Sequence, residues 1–255
     1  MSELVLNVVS VSKTFSARRG AVEAVKNVSL EVNAGESVGL VGESGCGKST
    51  LARLVTRLER VDTGDIYLCG ERISHLAGSS LRRAYHNVKM IFQDPRSSFD
   101  PRLTIGASIR EALRASTGMT GRALAAESVR LLCEVGLDAG YDKVYPRQIS
   151  GGECQRAAIA RAIGAGPRLL ICDEATSALD VSVQAQIMDL LRTLRRQHDM
   201  AFLFISHDLA LVSSFCNRTY VMRSGEIVES GPTADIITHP QHPYTQKLIG
   251  SILTP

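Results

Sequence analysis

The fold of this chain is decided by the stretch Gly42-Glu43-Ser44-Gly45-Cys46-Gly47-Lys48-Ser49-Thr50, which fits the pattern G-x-x-x-x-G-K-[ST] at every fixed position. Glycines in such a loop let the backbone turn with positive φ and let phosphate oxygens approach the N–H groups without a Cβ in the way. Lys48 can then reach the β- and γ-phosphates of a nucleotide, and Ser49 can offer its hydroxyl to Mg²⁺. We therefore interpret residues 42–50 as a phosphate loop; the alternative is a glycine turn that holds no ligand.

The residues on either side of the phosphate loop favour the first interpretation. Residues 36–41 read as a buried strand, and the positions that follow the loop recur at helical spacing, namely Leu51, Leu54, Val55 and Leu58. A helix that begins near Lys48 adds its dipole to an anion site. Kinases and GTPases also carry this element, so the loop alone leaves the class of nucleotide-binding protein open.

Composition narrows the class of protein. A chain of 255 residues with 44% hydrophobic and 22% charged residues is long enough for one large domain, or for a domain with an inserted subdomain. A formal net charge of +3 without a long Lys/Arg run argues against nucleic acid as the main partner. The 6 cysteines form no C-x-x-C pair, which favours free thiols in a reducing cytosol over disulfides or a zinc site. No apolar run approaches the roughly 18 residues of a membrane span, so work at a membrane would go through a partner.

Apolar runs predict an α/β core interrupted by a helical insertion. Further strands are predicted at residues 4–9, 25–32, 66–69, 88–92, 169–172, 201–205, 218–222 and 226–229, with a turn at 62–65. Helical periodicity covers residues 104–117 and 122–136, with no strand signal between them. We assign the chain to three parts: an ATP-binding α/β core at 1–93 and 166–230, a helical subdomain at 94–165, and a C-terminal tail at 231–255.

Several predicted strands end in polar residues that would meet at one edge of a parallel sheet, where such sheets bind ligands. After the phosphate loop, these strand ends carry Gln93, Asp173-Glu174 and His207. An apolar strand followed by two acids has the form of a Walker B element, in which Asp173 would hold Mg²⁺ and Glu174 would polarise the attacking water as general base. His207 would contact the γ-phosphate. The alternatives are a helix N-cap for the two acids and a structural role for His207.

The stretch Ile149-Ser150-Gly151-Gly152-Glu153 resembles the signature of the ATP-binding cassette (ABC) family, whose common form is Leu-Ser-Gly-Gly-Gln. Ile149 in place of leucine should be harmless. Glu153 in place of glutamine would put a carboxylate near a nucleotide, where it could weaken or tune ATP capture. The resemblance implies that the signature caps the γ-phosphate of an ATP held by an opposite subunit, so that two cassettes enclose two ATP molecules; its nucleotide contacts would be Ser150, Gly151, Gly152 and Glu153.

The resemblance to ABC ATPases covers essentially the whole chain, because the family's elements occur in order. It implies an α/β fold with a P-loop NTPase (RecA-like) core, an N-terminal antiparallel β region and an inserted α-helical subdomain. It also implies that Phe15 stacks on adenine, although an isolated aromatic is more often part of a core. Gln93 would bind Mg²⁺ with Ser49 and Asp173 and would couple to a transmembrane partner, and His207 would be the switch histidine. Residues 177–180, Ser-Ala-Leu-Asp, match the loop that communicates across the dimer.

A finer resemblance lies in the tail, at His239-Pro240-Gln241-His242-Pro243-Tyr244-Thr245-Gln246-Lys247-Leu248. It looks like the tail motif of bacterial dipeptide, oligopeptide and nickel importer ATPases. Two prolines that hold an extended turn ahead of a final helix explain this motif more simply than metal binding by its histidines. The phosphate loop and residues 92–95 are also similar to that branch.

This second resemblance implies the ATP-hydrolysing subunit of a binding-protein-dependent importer of peptides or nickel-type solutes, with ATP and Mg²⁺ as ligands. The chain would sit at the cytoplasmic face of the cell membrane. Its partners would be a second ATP-binding subunit, identical or different, two transmembrane permease subunits and, indirectly, an extracytoplasmic solute-binding protein. The alternatives are the ATPase of an exporter or lipid-handling system, and a soluble cassette ATPase that works on ribosomes or damaged DNA.

Overall fold

The computed structural model describes residues 3–17 and 20–253. Its strands are β1 (Leu4–Ala17), β2 (Gly20–Asn33), β3 (Ser37–Val41), β4 (Thr63–Leu68), β5 (Glu71–Arg72), β6 (Val88–Ile91), β7 (Leu169–Asp173), β8 (Ala201–Ser206), β9 (Arg218–Arg223) and β10 (Glu226–Pro232). Its α-helices are α1 (Lys48–Val55), α2 (Gly78–Asn87), α3 (Ile105–Thr117), α4 (Gly121–Glu134), α5 (Gly151–Ile163), α6 (Val181–His198), α7 (Leu209–Phe215), α8 (Thr233–Thr238) and α9 (Pro243–Leu253). Two short 3-10 helices lie at Ala139–Lys143 and Pro146–Gln148.

The larger sheet has six strands in the order β10-β9-β3-β8-β7-β6. All neighbours in it are parallel except β10, which pairs antiparallel with β9. Strands β3, β7 and β8 are buried at every position, as expected of central parallel strands that are covered on both faces. Because β3, β6, β7 and β8 run in the same direction, their carboxyl ends lie at one edge of the sheet.

Each face of this sheet supports its own hydrophobic cluster. Alternate residues of a strand point to opposite faces, so Leu170 and Phe202 enter one cluster while Leu169 and Leu203 enter the other. The second cluster is closed by α1 and by a smaller antiparallel sheet in the order β2-β1-β4-β5. The first cluster is closed by α3 to α7, with contributions from α8 and α9. This layered α/β arrangement confirms the predicted fold class.

The helices α3, α4 and α5 all lie within residues 94–165, where the sequence predicts a helical subdomain. Helix α3 is capped at its start by Thr104, whose hydroxyl accepts a hydrogen bond from the N–H of Ala107 at 3.1 Å, and it ends at Gly118 with φ of 70°. The predicted helices at 104–117 and 122–136 are therefore present. The division of the chain into a core, a subdomain and a tail stays a prediction. Within the described part of the chain, no helix has the length and apolar character needed to cross a membrane.

Some local predictions are wrong, because tertiary contacts override the local pattern. The first hairpin continues well past residue 9, since cross-strand pairing of Lys13 with Val25 and Phe15 with Val22 satisfies the backbone without apolar alternation. Residues 63–65 belong to β4 and pair with β1 instead of forming a turn.

The helices show further differences. Helix α1 ends at Val55, and Leu58 beyond it is 55% exposed, so that residue is no part of the apolar stripe. The predicted elements do not include α2, in which Ala84 is the buried residue. They also do not include α7, which has 7 residues and is too short for a periodic signal.

Candidate active site

Close packing against neighbouring backbone requires glycine at two positions of the phosphate loop. Gly42 has φ of 155°, and a Cβ there would lie 2.1 Å from the carbonyl oxygen of Met222. Gly47 has φ of 112°, and a Cβ there would lie 2.2 Å from the carbonyl oxygen of Ala24. The loop is thus pressed between the end of β9 and the strand β2, and a side chain at either position would displace it. This observation explains the glycine spacing by packing, independently of any ligand.

Helix α1 begins directly after the loop, at Lys48. Its N-cap residue Gly47 provides no side-chain hydrogen bond to the first turn, so the first N–H groups of the helix can serve an anion. The Lys48 side chain is buried, and its ammonium donates to the carbonyl oxygens of Gly42 at 2.8 Å and Glu43 at 2.9 Å. The loop therefore holds this positive charge beside its own N–H groups. Of the other loop residues, Ser44 and Gly45 are exposed, Cys46 is buried and Thr50 is half-buried.

A hydroxyl and a carboxylate meet at the start of α1. The hydroxyl of Ser49 donates to Oδ1 of Asp173 at 2.9 Å, which joins the phosphate loop to the end of β7. Asp173 is buried, and this burial raises the pKa of its carboxyl despite the hydrogen bond from Ser49. A cation would compensate the buried charge, and hydroxyl, carboxylate and amide oxygens are the hard donors that Mg²⁺ prefers. The residues present therefore fit the predicted magnesium site.

The residue after Asp173 is the centre of a second polar cluster. Glu174 has a left-handed backbone with φ of 49°, and its Oε2 accepts a hydrogen bond from Nε2 of Gln93 at 3.0 Å. Nδ1 of His207 lies 3.5 Å from Oε1 of the same carboxylate, and the His207 side chain is 57% exposed. The ends of β6, β7 and β8 thus place an amide, a carboxylate and an imidazole together, as the sequence predicts. Such a carboxylate can accept a proton from water at an open face.

Phe15 lies on β1, opposite Val22 of β2. Both side chains are exposed, at 37% and 58%, and the Lys13 ammonium lies 5.4 Å from the centroid of the Phe15 ring. Two residues beyond Val22, the carbonyl of Ala24 packs against Gly47 of the phosphate loop. The structure therefore places an exposed apolar pair on the β1–β2 hairpin, whose second strand borders the loop, and a flat base could stack on this pair.

The signature turn at the start of α5 has a reciprocal cap. The Ser150 hydroxyl accepts from the N–H of Glu153 at 3.3 Å, and the Glu153 carboxylate accepts from the N–H of Ser150 at 2.7 Å. The other carboxylate oxygen accepts a hydrogen bond from the hydroxyl of Tyr141, which lowers the pKa of Glu153 and raises that of Tyr141. Glu153 is thus engaged within its own chain. Ser150 remains exposed and retains its own proton for donation.

The signature turn packs against α6 and the loop before it, and, where the structure describes the chain, it makes no direct bond to the phosphate loop. Gly151 and Gly152 face α6 and the loop before it, because a Cβ on them would meet Leu179 at 3.5 Å and Val183 at 2.5 Å. Among the described residues, no hydrogen bond or ion pair joins residues 150–153 to residues 42–50. The structure therefore brings together the phosphate loop and the strand-end residues, and it leaves the signature residues apart from them.

Sequence reasoning missed two tyrosines at the site. Tyr141 was not identified as the partner of Glu153, because nothing in a 3-10 turn marks a side chain as a hydrogen-bond donor to a helix cap. Tyr244 lies in the quoted tail motif, and its hydroxyl accepts from the N–H of Glu43 in the phosphate loop at 2.9 Å. Its place in a distinctive motif was the signal, but no local pattern predicts a contact across 201 residues.

Comparison with known families agrees with this geometry. The family described as ABC transporter matches residues 25–177. A second family, described as the C-terminal region of oligopeptide/dipeptide transporters, matches residues 228–255, which contain the tail motif.

Individual proteins are similar over most of this chain. It is 44% identical over 258 residues to the glutathione import ATP-binding protein GsiA of Pectobacterium atrosepticum, and 44% identical over 257 residues to GsiA of Escherichia coli. Each alignment covers 98% of this chain, which spans 41% of the length of these relatives. Among solved structures, this chain is similar to the ATP-binding cassette MJ0796, which was solved as a dimer in a post-hydrolysis state bound to ADP and Pi. The two chains are 27% identical, with a TM-score of 0.81, and the match covers 89% of this chain and 98% of that chain.

Proposed function

The chain belongs to the ABC transporter family, and on that premise we propose that it is the ATP-hydrolysing subunit of a binding-protein-dependent importer. The observation that carries the proposal is the position of Glu174, which contacts Gln93 and His207 at the same sheet edge as the phosphate loop. A nucleotide held by that loop would present its terminal phosphate to a carboxylate that can accept a proton. The match of the tail to oligopeptide/dipeptide transporters supports the importer role.

The roles of the site residues follow from their chemistry. The loop N–H groups and Lys48 would bind the β- and γ-phosphates, and Phe15 would stack on adenine. Mg²⁺ would be held by Ser49, Asp173 and Gln93, and when bound it would neutralise phosphate charge.

Hydrolysis then needs water and a proton acceptor. Glu174 would accept a proton as the water oxygen attacks the γ-phosphorus, and the bond to the β-phosphate oxygen would break to give ADP and phosphate. His207, which lies beside Glu174, would contact the γ-phosphate. Gln93 would orient Glu174 and connect the site to the loop that follows β6.

The signature turn supports a dimeric working unit. In the described part of the chain, Ser150, Gly151 and Gly152 make no hydrogen bond to the phosphate loop, and Ser150 is exposed at a helix start that is suited to a phosphate held by another subunit. We assign Glu153 the task of holding that turn in shape. The proposed partners are a second ATP-binding subunit, two permease subunits and, indirectly, a solute-binding protein, with the chain at the cytoplasmic face of the membrane. The proposed domains are those predicted above: the core, the helical subdomain at 94–165 and the tail.

The proposed cargo is a peptide or a nickel-type solute. The curated relatives are named for glutathione import, and glutathione is a small peptide. The tail match names oligopeptide and dipeptide transport, so a short peptide is the cargo class that both comparisons favour.

Purification from the native membrane tests the proposal. An affinity-tagged chain should recover two polytopic membrane proteins, and the complex in vesicles should hydrolyse ATP faster when a solute-binding protein loaded with short peptides is added. Recovery of ribosomes or DNA without membrane proteins would refute the importer role. Stimulation by lipid instead of peptide would refute the proposed cargo class.

A further inference from the structure

One peptide group of the phosphate loop is held at both of its ends. The carbonyl oxygen of Gly42 accepts a hydrogen bond from the Lys48 ammonium at 2.8 Å. The N–H of the same peptide group, which belongs to Glu43, donates to the hydroxyl of Tyr244 at 2.9 Å. The Lys48 ammonium also donates to the carbonyl of Glu43. Tyr244 therefore fixes the backbone that positions the loop's lysine.

Tyr244 is itself held firmly in the tail. Its side chain is 6% exposed, and the guanidinium of Arg223 lies 5.1 Å from its ring centroid. The turn before α9 is tied to β10 by Glu229, whose carboxylate accepts from the N–H groups of Gln241 at 2.7 Å and His242 at 3.1 Å. Burial raises the pKa of the Tyr244 hydroxyl, which therefore stays protonated and neutral. The tail thus presents a preformed acceptor to the phosphate loop.

The backbone at Gly42 has no Cβ to restrict it, so contacts with neighbouring groups must fix its conformation. Its φ of 155° lies in a region that glycine alone occupies readily, so neighbouring conformations cost glycine little. Without the tyrosine acceptor, the Glu43 N–H would have to find another partner, and rotation of this peptide group would carry the Gly42 carbonyl away from Lys48. A phosphate would then meet a loop that must first be ordered, which weakens binding.

We propose that Tyr244 is a positioning residue for the phosphate loop. Its hydrogen bond to the loop couples docking of the tail to binding of nucleotide phosphates, so that each favours the other. This inference rests on the nucleotide site proposed above and assigns the tail a part in it. Coupling between two sites is reciprocal. Bound nucleotide therefore tightens the tail, just as the docked tail tightens nucleotide binding.

A pair of matched substitutions tests the proposal. Tyr244→Phe keeps the ring and removes the hydroxyl. The control, Tyr220→Phe, removes a hydroxyl that also accepts from a backbone N–H, that of Glu31 at 3.2 Å, on a tyrosine that is 7% exposed. Calorimetric titration of the full chain with MgADP should show about three- to tenfold weaker binding for Tyr244→Phe, the size of one neutral hydrogen bond. Binding by Tyr220→Phe should stay within about twofold of the unchanged protein.

The reciprocal effect gives a second readout. MgADP should slow trypsin cleavage after Lys247 on α9 in the unchanged protein, and should slow it less in Tyr244→Phe. If that variant does not fold, Glu229→Gln loosens the turn before α9 without altering the phosphate loop, and it should weaken MgADP binding likewise.

The outcomes separate this inference from the proposed function. Equal MgADP affinity in the unchanged protein and in Tyr244→Phe would overturn the inference, as would an equal loss in both tyrosine variants. Failure of the unchanged protein to bind MgADP would instead overturn the nucleotide site itself.

Discussion

Replacing Glu174 with glutamine should stop hydrolysis while ATP binding is retained. The carboxylate accepts from Nε2 of Gln93 at 3.0 Å, and the amide oxygen of a glutamine can accept the same hydrogen bond. The isosteric side chain should therefore keep its position, and what is lost is the ability to take a proton from water. General base catalysis contributes about 10²- to 10⁴-fold. At about 1.36 kcal/mol per tenfold change, this is about 2.7–5.4 kcal/mol of activation free energy.

The assay is phosphate release by the intact transporter, with ATP binding measured on the same preparation. Glu174→Gln should lower kcat by at least about 10²-fold and leave the Kd for MgATP within about threefold. The matched control is Glu226→Gln, the same chemical change at a side chain that is 58% exposed, and it should leave both quantities unchanged. An unchanged kcat with intact binding would remove Glu174 from its role as base. Loss of binding together with turnover would show that Glu174 supports the loop structure instead.

Three further predictions concern the phosphate loop and the signature turn. Asp173→Asn should raise the melting temperature of the nucleotide-free protein near pH 7 and abolish the Mg²⁺ dependence of ADP binding. Burial raises the pKa of the Asp173 carboxyl above its unfolded-state pKa of 3.8, so stability that is present below pH 3.8 is lost as the pH rises through the folded-state pKa. An asparagine amide does not ionise and avoids that loss. Gly47→Ala should abolish ADP binding in a calorimetric titration, because the added Cβ would lie 2.2 Å from a backbone oxygen. The control is Gly166→Ala, at a glycine with φ of 63° where an added Cβ would have no atom within 4 Å. This control should lower the free energy of unfolding in urea by only about 1–2 kcal/mol and keep full ADP binding. Glu153→Gln should lower the melting temperature at pH 7 but not in acid. The hydrogen bond from Tyr141 lowers the pKa of the Glu153 carboxyl, so the stabilisation that Glu153 provides is present above its unfolded-state pKa of 4.5 and is lost as the pH falls through the folded-state pKa. Equal melting temperatures of the variant and the unchanged protein at pH 7 would contradict this role.

The grouping of the strand-end residues could be predicted from sequence, because each strand and the polar residue that ends it are adjacent in the chain. Strand β7 runs directly into Asp173, and β8 is followed directly by His207. Once these strands are parallel, their ends must share an edge, so grouping the residues required no knowledge of packing. Phe15 was assigned from the family resemblance, and its position opposite Val22 depends on a hairpin much longer than its apolar pattern indicates.

What the sequence by itself determined is the kind of chemistry: a phosphate loop, a pair of acids after a buried strand, and a signature turn, all of them defined by residues next to one another. What only the tertiary structure decided is how these parts are held. The hydroxyl of Tyr244 reaches the N–H of Glu43 across 201 residues, and the Tyr141 hydroxyl reaches the Glu153 carboxylate from a separate turn. A hydrogen bond requires a separation of about 3 Å and a suitable angle, and only the packing of whole elements against one another sets those quantities.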